Sequence, residues 1–163
     1  MKEKKKIVKF QNGNTKTETY QEGDTLVTRH FHSGKNAYVK ELIHVKNGIT
    51  KIKHITDKGV TSKVEHFVED KRQGIETKYF ISKANGTIKS TKTYDNGKLH
   101  GENITYNEVG EIIKHEVFAL GKPVIKYLRE NSDNNDITSV KIINENSITN
   151  LPAQEQEKLQ NYK

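Results

Sequence analysis

Hydrophobic and polar positions alternate along much of the chain. Ile75, Tyr79 and Ile81 alternate with Glu76, Lys78 and Ser82, Thr77 being the weak member, and Val60, Val64 and Val68 take one parity of the preceding run, with His66 as an exception. A period of two sends successive side chains to opposite faces of an extended strand, whereas a helix repeats every 3.6 residues. Glycines punctuate these runs, at Gly13, Gly23, Gly34, Gly48, Gly59, Gly74, Gly86, Gly97, Gly101, Gly110 and Gly121, and none follows. Short β-branched and aromatic runs between regularly spaced turn residues predict short strands joined by tight connections.

The glycines fall into two series. Gly23, Gly48, Gly74, Gly97 with Gly101, and Gly121 form one; Gly34, Gly59, Gly86 and Gly110 form the other, each recurring about every 25 residues. Two turns per period mean one hairpin per repeat, the signature of a tandem array. Asn12-Gly13, Asn47-Gly48, Asn85-Gly86 and Asn96-Gly97 are Asn-Gly pairs, which tolerate the positive φ angles of a type I′ turn. The expected fold is therefore all-β, an antiparallel meander of repeated β-hairpins over residues 1–128.

Residues 129–163 read as a C-terminal extension. The polar, glycine-free stretch from Glu130 to Asp136 predicts a loop, and Ile137 to Ile143 one further strand. Asn150 to Gln160 suits a short helix, with Asn150 as its cap and Pro152 in its first turn. Only Leu151, Ala153 and Leu159 offer it anchors, so the helix frays unless it docks on this protein or on a partner.

Composition narrows the picture further. Hydrophobic residues make up 31% of 163, which leaves a thin core and suits a sheet wet on at least one face, or an array whose units bury surface only against their neighbours. The formal charge is +7, from 28 Lys and Arg against 21 Asp and Glu, with one dense run from Lys2 to Lys6. This excess favours acidic partners without naming one. The chain has no cysteine, so disulfides, thiol nucleophiles and thiolate metal sites are excluded. No apolar stretch is long enough for a transmembrane helix, and no apolar segment follows the basic start, so the expected location is the cytoplasm.

Catalytic chemistry finds little footing. His30 and His32 share a strand face, and His44, His54 and His66 follow on successive predicted strands. Simple hairpin registers place His44 near Lys51 and His54 near Ser62, so the imidazoles do not converge as a zinc site requires. Glu65, Glu69, Asp70 and Glu76 carry no sequence mark of burial. Serines lack a nucleophile-elbow context, and no phosphate-binding or dinucleotide fingerprint occurs. The expectation is a non-enzyme without metal or cofactor.

Two units align closely: Gly74-Ile-Glu-Thr-Lys-Tyr79 and Gly101-Glu-Asn-Ile-Thr-Tyr106. The second continues a longer unit, Tyr94-Asp-Asn-Gly-Lys-Leu-His-Gly101, Tyr106, then Gly110-Glu-Ile112. This stretch resembles the MORN-type repeat of bacterial proteins classed as YwqK-type antitoxins, whose units run Tyr-x-Asn-Gly-Lys-Leu-x-Gly, four residues, Tyr. The resemblance is best over residues 67–127, and the N-terminal half keeps the glycine spacing while its tyrosines are replaced or displaced. It implies a non-catalytic protein-binding module, antitoxin-like or an inhibitor, that neutralises a partner protein. A phage-borne inhibitor of a host nuclease or defence complex is a variant of that expectation.

Aromatic residues that stack along a sheet face can also leave an open strip for a partner. Phe67, Tyr79, Tyr94, Tyr106, Phe118 and Tyr127 are the candidates. Lys4, Lys5, Lys6, Lys51, Lys53, Lys63, Lys71 and Arg72 form a candidate basic patch, which leaves nucleic acid or an anionic membrane surface as the alternative partner. Charges of this kind also keep sheet edges from pairing with one another.

Overall fold

A computed structural model describes residues 5–34, 38–82, 86–128 and 139–160. The strands are β1 (Lys6–Lys9), β2 (Thr15–Glu22), β3 (Thr25–Phe31), β4 (Val39–Lys46), β5 (Ile49–Ile55), β6 (Thr61–Val68) and β7 (Lys71–Arg72). They continue with β8 (Gly74–Tyr79), β9 (Ile88–Asp95), β10 (Lys98–Tyr106), β11 (Ile112–Ala119), β12 (Lys122–Leu128) and β13 (Ser139–Ile142). A 3₁₀ turn (Glu145–Asn150) and one helix, α1 (Ala153–Gln160), close the order. All the strands lie in a single sheet, in sequence order except that the two-residue β7 pairs only with β6. The fold is an antiparallel β-meander of hairpins with a short C-terminal helix, as the alternation and the turn spacing predict. Among the described residues no helix is long and apolar enough to cross a membrane.

Two kinds of turn alternate along the sheet. Asn47-Gly48, Glu69-Asp70, Asn96-Gly97 and Leu120-Gly121 each hold two successive residues at positive φ, the requirement of a type I′ hairpin. The alternate turns are longer. Thr56 N–H donates to the Val60 carbonyl at 2.8 Å and Gly59 N–H to the Thr56 carbonyl at 3.0 Å, and the same pair of bonds recurs at Asn107, Gly110 and Glu111 and at Phe10, Gly13 and Asn14. Asn12-Gly13 therefore does not form the two-residue turn expected of an Asn-Gly pair. The Asn12 side chain instead accepts a hydrogen bond from Asn14 N–H at 3.1 Å, the local Asx geometry that competes with a primed turn. Asn85 lies outside the described residues.

The aligned units of the sequence are also equivalent in space. Gly97 N–H donates to the Arg72 carbonyl at 2.9 Å, and Gly121 N–H donates to the Leu99 carbonyl at 2.8 Å. Each turn thus fastens two residues before the conserved-spacing glycine, Gly74 or Gly101, of the preceding unit. The sheet path breaks at both places, between β7 and β8 and at a register shift between Leu99 and Asn103. Gly101 has φ +105, a backbone conformation that L side chains rarely adopt, so the position needs glycine for its conformation.

Apolar burial is uneven. Val117, Ala119, Val124, Ile125, Tyr127 and Leu151 form one cluster, with Val140 and Ile148 packed against it, all from β11 onward. Val27 is buried apart from it, in the N-terminal part of the sheet. The C-terminal tail supplies the second layer that makes this core possible. Leu151, at the end of the 3₁₀ turn, inserts into the cluster, while Ala153 is exposed and the side chain of Leu159 lies outside the described residues. The expected helix start moves: Asn150 ends the 3₁₀ turn, and Pro152 accepts the amide hydrogens of Glu155 and Gln156 at 2.9 and 3.1 Å. A proline directly before the first helical turn lacks only a donor that such a position does not use. The expected loop from Glu130 to Asp136 lies outside the described residues, and the expected run from Ile137 is a strand over Ser139–Ile142, paired with β12.

Candidate partner-binding surface

Residues paired across neighbouring antiparallel strands share a face. The register therefore sorts the side chains: Glu41 opposes His54, His54 opposes Lys63, Ile52 opposes Glu65, and Glu76 opposes Lys92. All of these project from one face, which we call the front. His54 faces Lys63 and not the expected Ser62, because the ladder shifts between His54 and Ile55; His44 does face Lys51.

Glu65 and Glu76 on the front are buried, at 5% exposure each, contrary to the expectation that nothing marks them. One oxygen of Glu65 contacts His54 Nε2 at 2.7 Å and accepts from Lys63 Nζ at 2.8 Å. The other oxygen lies 3.4 Å from Arg72 Nε, and Arg72 Nη2 lies 3.9 Å from Glu76. Burial pushes the Glu65 carboxyl up, but Lys63 and His54 outweigh it and hold the group below the usual carboxylate range. It stays ionised because its charge is answered on several sides. Glu41 extends the row, 3.5 Å from His54 Nδ1 and 3.8 Å from His30 Nδ1. Cross-strand charge pairs thus hold the front together where no apolar layer covers it.

Arg72 is the exposed summit of this network. Its guanidinium carbon stands 5.3 Å from the centroid of the Tyr94 ring, a cation–π distance. Phe67 opposes Arg72, and Tyr94 opposes Gly74 and Leu99. Burial, and after it the Glu76 charge, raises the Tyr94 hydroxyl above its ordinary pKa. The backbone is held as firmly as the side chain. Besides the Gly97 bond to the Arg72 carbonyl, Gln73 Nε2 donates to Asp95 at 3.0 Å and Gln73 Oε1 accepts from Asn96 N–H at 2.9 Å. The result is a planar cation, 42% exposed in its side chain, stacked over one aromatic ring, with Phe67 paired across the strands, and anchored from behind by two carboxylates.

The aromatic strip of the sequence expectation is therefore divided. Phe67 and Tyr94 meet at Arg72, and Phe118, opposite Gly101, lies further along the same face. Tyr79 and Tyr106 occupy equivalent strand ends, each just past a register shift, and Tyr79 turns to the reverse face beside Lys51, Lys53 and Val64. Tyr127 is not open to a partner: it is 4% exposed, packs against the His115 ring at a tilt, 4.3 Å between centroids, and donates its hydroxyl to Glu155 of α1 at 3.2 Å. Nor is the basic patch one patch. Lys5 pairs with Glu18 at 2.8 Å, Lys63 and Arg72 are neutralised on the front, Lys6 and Lys71 are exposed on strands at different places in the sheet, and Lys4 lies outside the described residues. Glu65, Glu76 and His54, weighed in the sequence only as catalytic or metal-ligating groups, complete the site together with Gln73; only the pairing register reveals that they meet. No group of three or more metal-ligating side chains is found among the described residues.

Comparison with family models and with curated proteins returns no match. Among solved structures, the chain is similar to a mutant of S. aureus TarM crystallised with Fondaparinux, alpha-GlcNAc-glycerol and UDP, at 15% identity and a TM-score of 0.46. The likeness covers 63% of this chain, which spans 20% of that one.

Proposed function

We propose that this protein is a non-catalytic protein-binding module of the antitoxin or inhibitor kind, acting in the cytoplasm, which neutralises a partner protein through the front face around Arg72. The observation that carries it is the Arg72–Tyr94 pair beside Phe67, a half-exposed guanidinium held over the Tyr94 ring, with Phe67 on the paired strand. Arginine and tyrosine dominate protein interfaces because they bury a large area with little further ordering, and an anchored side chain has already lost its freedom before the partner arrives. The surrounding sheet offers breadth: eleven strand spacings at about 4.8 Å give a surface roughly 50 Å across. The resemblance of residues 67–127 to MORN-type repeats supports the same kind of role.

The test is co-purification from the native host with tagged native protein and with Arg72→Lys. Lysine keeps a charge beside Glu65 and Glu76 but loses the planar stacking surface. The expected outcome is a thermal melt close to native and recovery of the partner reduced about tenfold or more. A native protein that always purifies alone, or an undiminished partner with Arg72→Lys, would overturn the proposal.

A further inference from the structure

The reverse face carries a feature that the front-face reading does not use. Lys51, Lys53, Val60, Val64 and Tyr79, with Gly59 and Gly86 from the two adjoining turns, line a concavity of 490 Å³. Lys51 and Lys53 stand on the same face of β5, about 7 Å apart along the strand. Their cross-strand neighbours are His44 and His66 for Lys51, and Leu42 and Val64 for Lys53; Thr77 follows beyond Val64. None is a carboxylate. The acidic residues of these strands, Glu41, Glu65 and Glu76, all project from the front.

This segregation distinguishes the two lysines from the paired cations of the front. Lys63, Arg72, Lys78 and Lys114 each have a carboxylate within 2.8 to 3.9 Å. Among the described residues, the side chains of Lys51 and Lys53 have neither an ion pair nor a hydrogen bond. Two like charges on one strand face repel, and the chain supplies nothing there to offset them. Tyr79, Val60 and Val64 meanwhile give the hollow apolar surface that solvated lysines alone do not need.

We propose that this concavity is a second binding site, which takes an acidic peptide segment: carboxylates on Lys51 and Lys53, with an adjacent apolar side chain against Val60, Val64 and Tyr79. The hollow has the size of sites that enclose a few side chains. The lysines favour an anionic occupant, and the apolar surface of Val60, Val64 and Tyr79 beside them suits a peptide side chain better than a phosphate backbone, which meets successive cations. Arg29, Lys46 and Lys71 share this face but do not line the hollow, whose cations are Lys51 and Lys53.

The experiment uses the whole chain and fluorescence anisotropy with a labelled peptide of four Asp-Leu-Gly repeats, its Asn-Leu-Gly counterpart, and a single-stranded RNA 12-mer. The aspartyl peptide should bind at least tenfold more tightly than the asparaginyl one. The double variant Lys51→Gln with Lys53→Gln should lose at least tenfold, while Lys126→Gln with Lys141→Gln, an equal change of net charge on the front, should lose less than twofold. Equal losses in the two double variants, equal binding of the two peptides, or tighter binding of the RNA at the same lysines would each overturn the assignment. Arg72→Lys should leave peptide binding intact, so a failure of this site and a failure of the front-face site are read separately.

Discussion

Leu120 shows what a hairpin turn requires of one residue. It holds φ +50 at a position where the equivalent turns place Asn47 and Asn96, at +50 and +47, and it is 54% exposed. A branched side chain in the left-handed region crowds its own carbonyl at a cost of about 1–2 kcal/mol, a penalty that asparagine largely escapes. Exposure means that little packing is lost on replacement. Leu120→Asn should therefore stabilise the protein by about 1 kcal/mol, visible as a higher urea midpoint at unchanged slope; an unchanged or lower midpoint would show that the turn is not strained. The Asn-Gly pairs themselves are a guide to turns but not to turn type. Asn47 and Asn96 adopt the primed geometry, while the side chain of Asn12 captures its own backbone.

At the level of one element, α1 illustrates how a polar helix becomes docked. Its apolar face is poor, and the contacts that hold it are Leu151 at its entry and a polar network beneath it. Lys158 Nζ bridges Glu102 at 2.9 Å and Glu155 at 2.8 Å, and Glu102 lies 3.3 Å from His115. The hydrogen bond from His115, set against the opposing effect of burial and aided by Lys158, lowers the Glu102 carboxyl from an ordinary 4.5 to about 2. A depressed carboxyl stabilises the folded state fully above its unfolded pKa and loses that contribution as pH falls through the folded one. Docking of the tail should thus weaken between pH 4.5 and about 2. Amide exchange of residues 153–160 measured across that window should rise in the native protein. It should show a smaller pH-dependent rise in Glu102→Gln; an equal rise in both would place the dependence elsewhere.

Across the whole molecule, the uneven core implies a gradient of stability. The buried cluster lies at β11, β12 and the tail, whereas β1 is an edge strand exposed at all four of its residues. In an array whose units contact only their neighbours, local opening follows local burial. Amide exchange should be slowest in β11 and β12, faster in the paired strands β4 and β5, and fastest in β1. Uniform protection from β2 to β12 would mean that the front-face charge rows stabilise as much as the apolar core does.

The chain's own pattern was enough to place nearly every hairpin, because strand alternation and turn chemistry are local: they depend on residues within ten or so positions of one another. The all-β meander and the equivalence of Gly74 with Gly101 both follow from such spacing. Which side chains meet is not local. A register shift between His54 and Ile55, or between Leu99 and Asn103, changes the partner of every residue beyond it. Only the folded sheet therefore shows that Arg72, paired with Phe67, stands over the Tyr94 ring and beside two buried carboxylates, that Tyr79 turns to the face opposite theirs, and that Tyr127 is covered by the tail. Strand and turn are written into neighbouring residues, while face and burial are collective properties of the assembled ladder.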